Sequence, residues 1–159
     1  MHNASESAVR SRQGGARVRV PPPVWFALAI VVGALLPGLR LGIVASAPPG
    51  ALLVVAAVAL LLWSVRWFRR TGQDPKPWTP SPELIHRGPY RFSRNPMYVG
   101  MTVFTIGIAG VLARGWIALL APLALLAVHR TAVLREEAYL SEKFGEPYRE
   151  YMKRVRRYL

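Results

Sequence analysis

Cysteine does not occur in this chain of 159 residues. Its absence excludes disulfides, thiolate zinc sites and cysteine nucleophiles together, and leaves the redox compartment open. Histidine is nearly as scarce. His86 and His129 could pair on a metal, but no third ligand stands at a suitable spacing, so no metal site is expected. Acidic residues number only eight against 21 Lys and Arg, which leaves a formal net charge of +13. The sequence also lacks a G-x-G-x-x-G fingerprint, a P-loop and a nucleophile elbow, and shows no internal repeat.

What the chain has in quantity is apolar residues, 52% of the total, gathered in long blocks almost free of charge. A soluble protein this basic usually grips nucleic acid. A chain whose apolar residues are blocked out this way is better read as a membrane protein with lopsided loops, so no nucleic-acid partner is expected. Residues 1–23 form the first segment, a disordered arm rich in Ser, Gly and Arg that ends in "PPP" at 21–23. An uncleaved anchor is expected to follow rather than a signal peptide, because the apolar block is longer than a signal h-region and the segment before it is long and arginine-rich.

That block runs from Val24 to about Ala45, about 33 Å as a helix, and is expected to kink at Pro37-Gly38. Arg40 lies near its far end. "APPG" at 47–50 reads as a tight turn, and a second block follows from about Ala51 to Phe68, so that residues 24–68 hold two transmembrane helices. Trp63, Trp67 and Phe68 cluster at its end as an interfacial belt does. Residues 69–96 are a hydrophilic connector with six prolines. Residues 97–129 form an apolar hairpin broken at Arg114-Gly115, with arms that either span the bilayer or enter it and return. From residue 130 the chain turns charged and helical. Its last helix places Tyr148, Tyr151, Met152 and Val155 on one face, as expected of a helix lying on an anionic membrane surface. The fold class is therefore all-α: an integral membrane protein of about four transmembrane helices plus a cytoplasmic amphipathic C-terminal segment. With both termini in the cytoplasm, every Lys and Arg except Arg40 and Arg114 falls on or near the cytoplasmic side of an inner or plasma membrane.

In this topology the connector and the C-terminal segment share a compartment, and any site lies between them. "HRGPYRFSRNPMYVG", residues 86–100, packs three arginines, three aromatics and two prolines against the start of the hairpin. Gly88-Pro89 forces a turn, and Asn95-Pro96 lets Pro96 occupy the first turn of the next helix. Tyr90, Phe92 and Tyr98 are thus held on a stiff segment at a helix mouth. Opposite a carboxylate such as Glu136 they suit a ligand with a positive centre and an aromatic base. On residue type alone two plainer readings stay open: the aromatics as an interfacial belt with topological arginines, and Glu136-Glu137 as a solvated helix face.

"PELIHRGPYRFSRNPMYVG" and the later "REEAYLSEKFGEPYREYMKRVRRYL" resemble the isoprenylcysteine carboxyl methyltransferase family and its relatives, the phospholipid N-methyltransferases. The likeness rests on Leu84-Ile85, Gly88-Pro89-Tyr90-Arg91, Arg94-Asn95-Pro96-Met97-Tyr98, Gly100, Glu136-Glu137, Leu140, Phe144-Gly145, Tyr148 and Tyr151, and covers residues 82–157. It implies a methyltransferase core over residues 69–159 that binds S-adenosyl-L-methionine between connector, hairpin and C-terminal helices. The implied cofactor contacts are Pro82, Glu83, Leu84, Ile85, Tyr90, Asn95, Pro96, Met97, Tyr98 and Glu136. Arg94 and Arg130 are the candidates for orienting a lipidic or amphipathic acceptor, whether carboxylate, amine or thiol. Two positions depart from the family pattern: Asn95 stands where many carboxyl methyltransferases have His, and Ala132 where an acceptor-holding arginine is expected. The alternatives are a scaffold that has kept the fold and a nicotinamide-dependent membrane reductase related to the sterol reductases.

Overall fold

A computed structural model describes residues 16, 18, 20–39, 47–72, 79 and 81–159. Among these, every regular element is helical and no strand is present. Helix α1 is Pro22–Leu35, α2 is Ala47–Arg70, α3 is Pro96–Val111 and α4 is Gly115–Val128. A π-helical turn, His129–Val133, carries α4 without interruption into α5, Leu134–Phe144, and α6 is Glu146–Arg154. A 3₁₀ turn, Gly88–Arg91, lies in the connector.

Two expectations about helix ends need correction. Pro37-Gly38 does not kink the first helix but ends it: Leu36, the residue before the proline, is already extended (ψ 131°), and Gly38 takes φ 90°. "APPG" at 47–50 is not a turn but the opening of α2, because a proline costs nothing in the first turn, where its missing N–H would have no partner anyway. Of the expected disordered arm, Ala16 and Val18 instead pack into the core with Phe26 and Val128, since burying them removes apolar surface from water. Most of that arm, and Arg40, lie outside the described residues.

The helices run alternately up and down. Glycine contacts fix this arrangement, because they let backbones approach where a side chain would hold them apart. A Cβ on Gly50, near the start of α2, would lie 2.6 Å from the Val111 backbone nitrogen, and one on Gly100 would meet Leu61. The start of α2 therefore sits beside the end of α3, and its end beside the start of α3. Gly33 likewise meets the Ile117 backbone, and α1 packs on α4. At this far end the Leu39 carbonyl accepts the Gly115 N–H (2.9 Å) and the Pro37 carbonyl accepts the Trp116 indole N–H (3.0 Å). The buried hydroxyls of Ser64 and Thr105 are satisfied within their own helices, on the Leu60 and Met101 carbonyls.

The outer faces are apolar and bare: Leu52 is 69% exposed, Val55 65% and Leu62 65%. Two helices, Pro48–Arg70 and Gly115–Phe144, are long and apolar enough to cross a membrane, whereas Pro22–Leu35 and Pro96–Val111 are apolar but shorter. The start of α1, the end of α2, the start of α3 and the end of α4 thus share one end of the bundle. Among the described residues, Arg114 is the one Lys or Arg at the opposite end.

Candidate active site

The charged end of the bundle is closed by the connector and by α5 and α6, and a cavity lies between them. Gly88 starts the construction. Its φ of 60° suits glycine, and a Cβ there would run into the Trp67 indole of α2. The 3₁₀ turn that follows buries Tyr90 edge-on against Phe68, with ring centroids 5.6 Å apart. From α6 the Tyr151 hydroxyl donates to the Tyr90 carbonyl at 2.6 Å. The connector is thereby pinned to both α2 and the C-terminal helix.

Two carboxylates of α5 face this segment. The Tyr98 hydroxyl, half a turn into α3, donates to Glu136 Oε1 at 2.6 Å. Glu137 accepts from Arg157 Nε (2.9 Å) and Nη2 (2.8 Å) and pairs with Arg94 Nη2 at 3.4 Å. Glu136 and Glu137 lie in the first turn of α5, just past the π-helical turn, an irregularity that shifts the phase of a helix and often marks functional positions. The turn also accounts for Ala132: it is fully buried in the core, where an arginine would have no room.

Glu83, Leu84, Ile85, Tyr90, Asn95, Pro96, Met97, Tyr98 and Glu136 all line the cavity, and Arg94 joins them. Pro82 is exposed and stands outside the lining, and so does Arg130, which the π-helical turn leaves on the outer surface. The Asn95 amide is engaged elsewhere, its Nδ2 donating to the Arg157 carbonyl at 3.0 Å. Residue-level reasoning missed Glu137, Tyr139, Tyr148 and Tyr151 as lining residues. The signal lay in the E-E-x-Y and Y-x-x-Y spacings, which put these side chains on the inner faces of α5 and α6.

The last helix also differs from expectation. Tyr148 and Tyr151 are 2% and 9% exposed because they pack on the connector rather than on a lipid surface. Arg149, Lys153 and Arg154 face outward, the first two paired with Glu146 and Glu150. Burial pushes the Tyr90 phenol well above its ordinary pKa and that of Tyr148 up to about 12, so both remain donors at neutral pH. Among the described residues, Tyr90 Oη and Arg94 Nε and Nη1 are buried without a hydrogen-bond partner. Buried donors left unpaired are costly, so polar groups brought into the cavity by a ligand would be favoured there.

An all-helical bundle with bare apolar flanks and a cavity of aromatics and carboxylates at its charged end has the form of a membrane protein with a binding site at its edge. The model of the phospholipid methyltransferase family matches residues 44–147, well over half of the chain, and the chain belongs to that family. A stretch of 72 residues is 35% identical to the protein-S-isoprenylcysteine O-methyltransferase of Schizosaccharomyces pombe. That stretch covers 45% of this chain and 30% of the length of the relative.

Proposed function

We propose that the chain is an integral membrane methyltransferase that takes its methyl group from S-adenosyl-L-methionine and delivers it to a lipidic or amphipathic acceptor at the cytoplasmic face. The observation that carries this reading is the Tyr98–Glu136 pair in an aromatic cavity. A carboxylate beside tyrosine faces suits a cationic, adenosine-bearing donor, and the unpaired Tyr90 and Arg94 donors suit its polar groups. Residues 83–85, Tyr90, residues 95–98 and Glu136 would hold the donor. When bound, it supplies an electrophilic methyl on a sulfonium. The protein has to align and partly dehydrate the reactants, and an ionised acceptor needs no general base. All four apolar helices cross the bilayer in this reading, the short α1 and α3 with help from their flanks, and the end bearing the arginines faces the cytoplasm.

Calorimetric titration of the detergent-purified protein with S-adenosylhomocysteine tests the proposal, with NADPH as comparison ligand. Binding of the homocysteine compound, lost in Glu136→Ala and weakened in Tyr90→Ala, supports the donor site. Binding of NADPH alone would move the chain to the reductases. Folded protein that binds neither would point to a scaffold that has kept the fold.

A further inference from the structure

Arg94 sits deeper than a membrane-surface anchor would. Its side chain is nine-tenths buried, it lines the cavity, and among the described residues only Nη2 has an acidic partner, at the long distance of 3.4 Å. Nε and Nη1 are buried and make no hydrogen bond among the described residues. The reason lies in the chain after α6. Arg157 takes both oxygens of Glu137 in a two-pronged contact (2.9 and 2.8 Å) and leaves Arg94 a shared, weaker claim on the same carboxylate. The two guanidinium groups thus share the Glu137 carboxylate, while Glu136 accepts from Tyr98.

The tail holding Arg157 is itself fixed at several points. Its Arg156 carbonyl accepts the Arg94 N–H (2.9 Å), and its Arg157 carbonyl accepts Asn95 Nδ2 (3.0 Å) and Ser93 Oγ (3.3 Å). Tyr158 Oη meets His129 Nδ1 at 2.9 Å. Arg157 is not part of the cavity lining, so it acts on the cavity through Glu137.

We infer that Arg94 is an anion-binding subsite of the cavity, kept open by the C-terminal tail, and that it takes a carboxylate or phosphate group through the Nε and Nη1 donors. Glu137, Arg157 and Asn95 are its positioning residues. The inference deepens the methyltransferase reading, since the anion comes either from the amino-acid end of the methyl donor or from the acceptor.

The test titrates wild type, Arg94→Gln, Arg94→Lys and Arg157→Ala with carboxyl-labelled octanoate and with uncharged octanol, each variant first shown to keep its helicity and a single elution peak. Arg94→Gln is expected to weaken octanoate by about tenfold or more and leave octanol unchanged. Arg94→Lys, which keeps the charge but loses the fork, is expected to fall between. Arg157→Ala frees Glu137 to neutralise Arg94, and octanoate affinity is expected to fall by about threefold although no cavity atom is removed. Parallel titrations with S-adenosylhomocysteine and methylthioadenosine, which lacks the amino-acid end, identify the source. If Arg94→Gln weakens only the former, the anion is that of the donor; if neither changes, it is that of the acceptor. Octanoate and S-adenosylhomocysteine both binding Arg94→Gln as they bind wild type would overturn the subsite, and an unchanged Arg157→Ala would overturn the role of the tail. Wild type that takes octanoate but neither adenosyl compound would sink the donor reading and leave the subsite standing.

Discussion

The Tyr98 hydroxyl reaches across from α3 to α5 and donates to Glu136 Oε1 at 2.6 Å. This bond fixes the orientation of a carboxylate on which the proposed donor site depends. Tyr98→Phe and Glu136→Gln are each expected to weaken S-adenosylmethionine binding by about tenfold. The loss should be larger than for S-adenosylhomocysteine, because a carboxylate acts on the sulfonium charge and has less to act on in the neutral thioether. Equal losses for the two ligands, measured by calorimetry, would show that Glu136 does not face the sulfonium.

Tyr151 carries a different kind of prediction. Its hydroxyl, donating to the Tyr90 carbonyl at 2.6 Å, is a direct tie between α6 and the connector. Tyr151→Phe leaves a buried carbonyl unpaired and is expected to cost about 1–3 kcal/mol. A lowered midpoint in thermal unfolding, together with weaker donor binding, checks it. An unchanged midpoint would mean that the connector is held by the Phe68 and Trp67 contacts alone.

Much of the fold was legible because its determinants are local. Charge-free blocks mark the helices, Asn95-Pro96 marks the start of α3, and Gly145 marks the break between α5 and α6. The Pro37-Gly38 and Pro48-Pro49 pairs misled, since proline ends one helix and opens the next by the same steric rules, and only the neighbouring backbone decides which. The partnership of Tyr98 with Glu136 was legible because the connector and the C-terminal segment share one end of the bundle. The position of Arg130 was not, because a π-helical turn shifts the helical phase and carries no simple sequence signal. The Asn95–Arg157 contact spans 62 residues, and no spacing rule reaches that far.

The glycine seam between α2 and α3 yields a stability prediction. A Cβ on Gly107 would sit 2.9 Å from the Val54 backbone nitrogen and 3.0 Å from the Gly50 carbonyl oxygen, so the two helices cannot keep their separation around a larger residue. Gly107→Val is expected to destabilise the bundle by about 1–3 kcal/mol. Gly38→Ala, which has open space around its Cβ but a φ of 90°, is expected to cost less than Gly107→Val. Thermal midpoints of the two variants in detergent give the comparison. The reverse order would mean that the seam is loose and the turn rigid.

The absence of cysteine makes the proposed topology directly measurable, since any introduced thiol is unique. Arg69 at the end of α2 and Arg149 in α6 are exposed at the charged end of the bundle, and Arg114 is exposed at the other. Arg69→Cys, Arg149→Cys and Arg114→Cys are each conservative of fold, because none of these side chains is buried. In right-side-out membrane vesicles a membrane-impermeant maleimide is expected to label Arg114→Cys alone, and in inverted vesicles Arg69→Cys and Arg149→Cys. The physical basis is the charge asymmetry: carrying a cluster of arginines across a bilayer is opposed by the membrane potential and by anionic cytoplasmic lipid, while one arginine is tolerated. Labelling of all three from the same side would mean that α3 and α4 enter the bilayer and return without crossing. Labelling in the reversed pattern would place the cavity outside the cytoplasm, away from the compartment that supplies the proposed donor.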